Sequence, residues 1–383
     1  MIDVEQLALQ RSQYPELSDA DFRFMLQQVD GRQRTARKLP TFAALQDWWY
    51  PVRLSCEQCS SEATARYKAA IVASHPTLHT QHPQEIRVTD LTGGYGVDAY
   101  FMAQTFGQVD YIEQNEELCR IAEHNFGLHA PNIHIHNTTA EAYLQDMPPV
   151  DVLCVDPARR DKNGGKVFRL EDCEPNLIEL LPTLRTKTKV LLFKLSPMLD
   201  ITAALRALPD MVWDTHVVAV DNEVKEVLLI SAENEESRLI AIDIPAQWQD
   251  GAPYKALAVS RQDEQNAVAT MAQGIGKYLY EPNAAILKAG LYNYVSTHFG
   301  LAKLAPNTHL YTADFLHSSF PGRVWEVCEP DTPLRQCNIV TRNFPLPPDQ
   351  LKRKLKVRDG GDLYIIGTRL GKKPITLTAK RVQ

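Results

Sequence analysis

The chain has 383 residues, 44% of them hydrophobic and 23% charged, with 41 Lys/Arg against 47 Asp/Glu and a net charge of −6. These are the proportions of a soluble globular protein, and the length calls for roughly two to four domains. No run approaches the roughly 18–20 apolar residues of a membrane span, and Met1-Ile2-Asp3-Val4-Glu5 lacks the charged and apolar regions of a secretion signal, so no membrane partner is expected.

The seven cysteines show no disulfide-like spacing, and Cys56-Glu57-Gln58-Cys59 lacks a second Cys or His pair. Free thiols in a reducing cytoplasm are expected, and no metal. Charge is unevenly spread: residues 335–383 hold twelve Lys/Arg against Asp349, Asp359 and Asp362, a net of +9, which leaves −15 on the first 334 residues. A basic end on an acidic body suggests a polyanion partner, with a solvated basic face as the plainer reading.

In chain order, residues 1–75 read as helical. Phe22, Met25, Leu26 and Val29 recur at helical spacing behind Ser18 and Asp19. Trp48 and Trp49 precede Pro51 and are expected to pack on the next element. Ser55-Cys56-Glu57-Gln58 fits a capping box, Ser60-Ser61-Glu62 offers alternative starts, and the helix that follows runs to about Ser74 with polar residues that suit a surface. From about residue 84, apolar runs at 86–88, 109–112, 133–135, 150–155 and 190–195 alternate with helical segments. Runs at 217–220 and 224–230 are separated by Asp221, Asn222 and Glu223 and predict a hairpin. The charged Glu223, Lys225 and Glu226 entering it read as a solvated edge. Beyond Ser231, strands are predicted at 238–244, 256–259 and 324–327, a helix over 283–299, and strands at 338–340, 356–357, 363–366 and 376–378, with Pro345, Pro347 and Pro348 in a turn.

The densest chemical signal is Asp90-Leu91-Thr92-Gly93-Gly94-Tyr95-Gly96-Val97-Asp98-Ala99, at the end of the first apolar run. Strand, glycine turn and helix start form a unit that holds a nucleotide-like ligand on free N–H groups. Gly94-x-Gly96-x-x-Ala99 also satisfies a dinucleotide fingerprint, but Asp90 would repel a pyrophosphate and suits the cationic end of S-adenosylmethionine. Glu113, 23 residues beyond Asp90, ends the second strand where ribose hydroxyls need an acceptor. Thr138 and Thr139 follow the third strand, where adenine would lie. Asp156-Pro157-Ala158-Arg159-Arg160 follows the fourth strand, where substrate and cofactor meet in open α/β sheets. Asp156 could orient a target amine or bind the cofactor's amino group, and Pro157 fixes the turn. Arg159 and Arg160 could clamp a phosphate or form surface ion pairs. Residues 161–170 read as a basic loop. Lys194, ending the fifth strand, is either an anion contact or a partner of Asp156.

These residues resemble a known family. The glycine turn is similar to that of the bacterial small-subunit ribosomal RNA guanine-N2 methyltransferase. More closely, the chain resembles bacterial class I methyltransferases carrying a ferredoxin-like segment and a C-terminal THUMP-like domain. The likeness rests on Ser60-Ser61-Glu62-Ala63-Thr64-Ala65-x-Tyr67-Lys68, the glycine turn, Asp156-Pro157-Ala158-Arg159-Arg160, Lys194-Leu195-Ser196-Pro197-Met198, Lys225-Glu226, Tyr280-Glu281-Pro282-Asn283 and Lys288-Ala289-Gly290. It implies an α/β fold: an N-terminal helical region (1–75), a Rossmann-like methyltransferase core (76–235), linker strands with the ferredoxin-like segment (236–325) and the THUMP-like domain (326–383). It also implies S-adenosylmethionine as cofactor. THUMP domains bind structured RNA, which gives the +9 tail a partner, a tRNA or rRNA.

The resemblance implies cofactor contacts from Asp90, Thr92, Gly94, Gly96, Asp98, Glu113, Thr138 and Asp156. Asp156, Pro157 and Arg159 would form the catalytic edge, and Arg159, Arg160 and Lys194 would meet substrate. Enzymes that methylate exocyclic amines usually carry Pro and an aromatic where this chain has Ala158 and Arg159. Asp-Pro-x-Arg also occurs in uracil-carbon methyltransferases, whose chemistry needs a cysteine, and Cys173 is the candidate here. The leading expectation is methylation of an RNA base. A non-catalytic RNA-binding module of the same fold, and a protein or small-molecule methyltransferase, are the alternatives.

Overall fold

The structure, a computed structural model, describes residues 4–159, 170–209, 211–231, 237–249, 251–329 and 334–383. It falls into two compact units, one of residues 1–215, 225–235 and 244–253, the other of residues 216–224, 236–243 and 254–383. Among the described residues no helix is long and apolar enough to cross a membrane.

The first unit opens with helices. In α1 (Asp19–Thr35) the Ser18 hydroxyl caps the start, accepting from Asp21 N–H at 3.1 Å. The capping box expected at Ser55 is not used, because a short helix, Arg53–Gln58, already runs through it. Helix α2 (Glu62–Ala73) starts instead at Ser61, which accepts from Thr64 N–H at 3.3 Å. Its polar residues correct the surface reading: Glu62, Thr64 and Lys68 are all buried, as is Ser60 just before it. Trp48 packs 4.0 Å from the Phe42 ring, and its indole N–H donates to Tyr95 Oη at 2.8 Å, so the tryptophan braces the glycine turn.

The sheet of this unit contains β1 (Arg87–Asp90), β2 (Gln108–Glu113), β3 (Ile133–Asn137), β4 (Val150–Val155) and β5 (Thr188–Leu195), all parallel, in spatial order β5-β4-β1-β2-β3. Helices α3 (Val97–Ala103) and α4 (Glu116–His129) follow β1 and β2. Parallel strands buried on both faces read as the continuous apolar runs seen in the sequence. The chain progresses outward from β1 in one direction and from β4 in the other. A topological switch point therefore lies between β1 and β4, with its crevice at their C-terminal ends. The predicted hairpin is present as β6 (Trp213–Val220) and β7 (Glu223–Ser231), turning through Asp221 and Asn222 at φ +50° and +65°. Residues Val227–Ile230 of β7 pair antiparallel with β5. Glu226 is 3% exposed, so the edge expected to be solvated is buried there.

In the second unit, β8 (Arg238–Ile244) pairs antiparallel with β9 (Lys255–Ser260). A separate seven-stranded sheet is built from β10 (Tyr278–Pro282), β11 (Ala302–Ala305), β12 (Thr308–Ala313), β13 (Gly322–Val327), β14 (Asn338–Thr341), β15 (Leu363–Leu370) and β16 (Lys373–Arg381), in order β11-β12-β10-β13-β16-β15-β14. Strand β13 pairs with β10 on one side and β16 on the other, so one sheet and one core (Leu279, Leu304, Leu310, Trp325, Ile366, Ala379) run across residue 326. The single helix expected over 283–299 is two, α5 (Ala284–Ala289) and α6 (Tyr292–Phe299), because Gly290 turns left-handed at φ +78°. The strand expected at 356–357 is absent: α7 (Pro348–Leu355) occupies the preceding stretch, and Lys356 ends it at φ +56°. Pro348 is the first residue of that helix, where a missing N–H costs nothing.

Candidate functional site

Strand β1 ends at Asp90, and Leu91 N–H donates to Cys154 O at 3.0 Å, so the chain leaves the sheet beside β4. The turn then closes on itself, with Gly93 N–H to Ile112 O and Gly96 N–H to Gly93 O, both at 2.8 Å. Gly94 and Gly96 have φ of +56° and +81°. A Cβ at Gly96 would also stand 2.4 Å from the Phe126 ring, and one at Gly93 would meet Tyr111 at 2.1 Å. At Gly94 the nearest atom is 3.8 Å away, so that side of the turn is open to a ligand.

Thr92 joins the two halves of the crevice. Its N–H donates to Asp90 Oδ1 at 3.0 Å, and its hydroxyl oxygen accepts from Asp156 N–H at 2.6 Å. Asp90 is 7% exposed and has no cationic partner among the described residues. Burial, reinforced by the charge of Asp98, pushes its carboxyl up to about 7. Glu113, at the end of β2, accepts from Gly94 N–H at 2.9 Å through Oε2 and from Asn115 N–H at 2.7 Å through Oε1. Thr138 stands next to it, its N–H donating to Glu113 O at 3.2 Å. Thr139 is used otherwise, as the cap of the helix Ala140–Asp146. The crevice thus gathers Asp90, Thr92, Gly94, Gly96, Glu113, Thr138 and Asp156.

Of the two roles open to Lys194, the structure shows the ion pair: its ammonium binds Asp156 Oδ2, and its side chain is 16% exposed against 43% for Asp156. Burial works against the Lys194 ammonium, but Asp156, Asp98 and Glu226 outweigh it and hold its proton above the usual lysine range. Asp98 lies in the first turn of α3. It accepts from Ser60 Oγ at 2.8 Å and lies 3.1 Å from Lys68 Nζ. Burial opposes its charge, yet Lys68 and Lys194 prevail and hold the carboxyl below its ordinary value. Ala158 and Arg159 form a short strand antiparallel to Cys173 and Glu174. Arg160 and the loop 161–169 lie outside the described residues, as does the Arg159 side chain.

Sequence reasoning assigned no role to the floor of this crevice. Lys68, 2% exposed on α2, donates to both carboxylate oxygens of Glu226 at 2.9 Å and to Ser60 Oγ at 3.2 Å. A cavity of about 20 Å³, room for one water, lies among Lys68, Asp90, Asp98, Cys154, Asp156 and Lys194. The usable signal was in α2: Ala63, Ala65, Ala69 and Val72 leave no continuous polar face for a solvated lysine.

The set fits a ligand that is cationic at one end and carries vicinal hydroxyls. Asp90 is a buried carboxylate in want of a cation, and Gly94 admits close approach. The two Glu113 oxygens each hold one backbone donor and keep lone pairs for hydroxyls. The methionine end and ribose of S-adenosylmethionine have this chemistry.

Residues 278–321 match a ferredoxin-like domain family and residues 330–381 a THUMP domain-like family. Two uncharacterised S-adenosylmethionine-dependent methyltransferases from Mycobacterium tuberculosis strains are 28% identical over 262 residues, 62% of this chain and 67% of each relative. The solved structure of a candidate methyltransferase from Porphyromonas gingivalis W83 is 31% identical, covers 96% of this chain and 92% of that one, and superposes with a TM-score of 0.83. The chain belongs to this family of S-adenosylmethionine-dependent methyltransferases. The expected architecture is present: a Rossmann-like methyltransferase sheet, then ferredoxin-like and THUMP-like segments.

Proposed function

We propose that the chain methylates a base of a structured RNA, a tRNA or an rRNA, and that its N-terminal region and methyltransferase core divide at residues 75 and 235. The observation that carries the reading is the Thr92 link, which sets the half-exposed Asp156 carboxylate beside the glycine turn. In this reading Asp90 meets the cationic end of S-adenosylmethionine, Glu113 its ribose, and Thr138 the adenine edge. Bound there, the cofactor supplies an electrophilic methyl group on a sulfonium sulfur. Asp156 accepts a hydrogen bond from the target base and turns its nucleophilic nitrogen into line. Lys194 fixes the direction of Asp156, and Pro157 keeps the following carbonyl path rigid. Asp98 acts from below, through Ser60 and Lys68. Arg159 and Arg160 hold the target by guanidinium stacking or phosphate contacts. The contribution to rate is alignment of two reactants and a fixed electrostatic setting. The net +9 of residues 335–383 supplies sequence-independent affinity for phosphates.

The test is mass spectrometry of nucleosides from total RNA of a deletion strain and its parent. One methylated nucleoside should vanish, return with the wild-type gene, and stay absent with Asp156→Ala. An unchanged nucleoside profile would overturn the RNA reading.

A further inference from the structure

In the second unit two arginines converge on one carboxylate that the proposed transfer does not use. Glu281 lies near the end of β10, and its side chain is 5% exposed. Arg323 of β13 stands directly opposite it in the antiparallel register, with Nη1 3.5 Å from Glu281 Oε2. Arg342 arrives from elsewhere. It follows β14, four strands from β10 in the sheet order, and its Nε donates to Glu281 Oε1. The sheet curls to allow this. Asn343 Nδ2, next in the chain, donates to Thr308 Oγ1 of β12 at 2.9 Å, and Gly371 N–H, between β15 and β16, donates to Leu304 O of β11 at 2.9 Å.

The arginines are held but not saturated. A guanidinium carries five N–H donors in a fixed fork. Among the described residues Arg323 engages only Nη1, on Glu281, while Arg342 engages Nε on Glu281 and Nη1 on Thr341 O at 2.9 Å. Nε and Nη2 of Arg323 and Nη2 of Arg342 have no acceptor there and are not buried; the two side chains are 39% and 42% exposed. Nor do the charges cancel, since two guanidiniums against one carboxylate leave +1. Neutralising a buried carboxylate takes one arginine. The second leaves an excess positive charge and open donors on two forks that share one anchor. A monoanion with oxygens in different directions completes the cluster. A phosphodiester has that charge and geometry, and it is the repeating unit of a polyanion suited to the net +9 of residues 335–383, Arg342 among them. Holding two long side chains in advance also lowers the ordering cost of binding.

We propose that Arg323 and Arg342, aimed by Glu281, form a clamp for one backbone phosphate of RNA. Glu281 is a positioning residue that acts through the two arginines. The RNA occupant rests on the function proposed above, but its test reads binding rather than methylation, so the two can fail separately.

The experiment measures binding of the full-length protein to a labelled RNA hairpin by fluorescence anisotropy across a salt series. Arg323→Gln with Arg342→Gln should weaken binding by about tenfold at low salt and flatten the log–log slope by about 0.7–0.9, one phosphate's share. Arg323→Lys with Arg342→Lys keeps both charges and removes the forks, so binding should weaken by about threefold or more with the slope unchanged. Glu281→Gln sets aiming against charge. It raises the net charge by one, which alone tightens RNA binding, whereas release of the forks should weaken it by about threefold or more. The lysine variant retains the ion pairs, so the test stands even where Glu281→Gln unfolds. Poly-glutamate should compete far less well than an equal charge of unlabelled hairpin. Wild-type affinity in the lysine variant, or unchanged or tighter binding by folded Glu281→Gln, would overturn the clamp. So would equal competition by poly-glutamate, which would assign the forks to an acidic peptide. Absence of hairpin binding by the wild type would refute the RNA occupant.

Discussion

Asp90→Asn tests the electrostatic core of the proposed cofactor site. In the free protein the buried carboxyl takes up its proton at about 7. A cationic ligand binds the ionised form, so binding must drive the proton off. At pH 6 roughly one molecule in eleven is ionised, and wild-type affinity for S-adenosylmethionine should be about tenfold lower than at pH 8. If the bound cation returned the carboxyl from about 7 to its ordinary 3.8, the coupling would be about 4 kcal/mol, an upper bound. Asp90→Asn should bind more weakly at pH 8 and lose this component of the pH dependence. Titration calorimetry in buffers of different ionisation enthalpy counts the protons released. The ligand's own amino group titrates near pH 8, so the difference between the two proteins isolates the Asp90 proton. The sign for stability follows from the same value. A carboxyl whose proton is held more tightly in the folded state costs stability as pH rises from about 4 to about 7, and Asp90→Asn should remove that slope. Equal proton release by wild type and Asp90→Asn, or an equal pH dependence of affinity, would refute the reasoning.

Lys68→Met should destabilise the first unit by about 3–5 kcal/mol in urea unfolding, because Glu226, 3% exposed, and Asp98 lose their cation; Lys68→Met with Glu226→Gln should recover part of the loss. Equal stability of Lys68→Met and wild type would mean the pair is not buried as described. Asp156→Ala should abolish methyl transfer in a single-turnover assay while S-adenosylmethionine binding by calorimetry survives, and a fully active variant would remove Asp156 from the mechanism. Gly96→Ala should lower both stability and cofactor affinity, since it combines a φ of +81° with a Cβ 2.4 Å from Phe126; normal behaviour in both assays would contradict the turn geometry. RNA affinity should fall steeply and linearly on a log–log plot against salt, and reversing Lys372 and Lys373 to Glu should flatten that slope.

How much of this was legible depended on whether a residue's partners lie near it in the chain. Asp90, Glu113, Asp156 and Lys194 could be placed at one edge because parallel strands are unbroken apolar runs, and whatever ends each run must lie at the crevice. The glycine turn was legible for the same reason, its conformation being local. What could not be read is the charge balance under the site. Lys68 and Glu226 are 158 positions apart, and although the apolar surroundings of Lys68 in α2 argue against a solvated lysine, nothing local names Glu226 as its partner. Only the packing of α2 against the sheet turns them into a buried pair. The helix over 283–299 failed differently: its apolar spacing was helical throughout, but Gly290 could leave the helix at φ +78° and did.

The same distinction bears on catalysis. The residues proposed to meet the ligand lie on strand ends whose register is set by sheet pairing. The groups that tune them come from an N-terminal helix (Lys68) and a late hairpin (Glu226), through Asp98. Among the described residues Asp90 pairs with no cation, while Lys68 and Lys194, lining the same small cavity, are both committed to other carboxylates. Had either lysine been free to turn toward Asp90, the acceptor proposed for the cofactor's positive end would already be neutralised. The network of buried pairs therefore does more than tolerate charge in the core: by occupying both lysines, it leaves the Asp90 carboxylate available for the ligand contact proposed above.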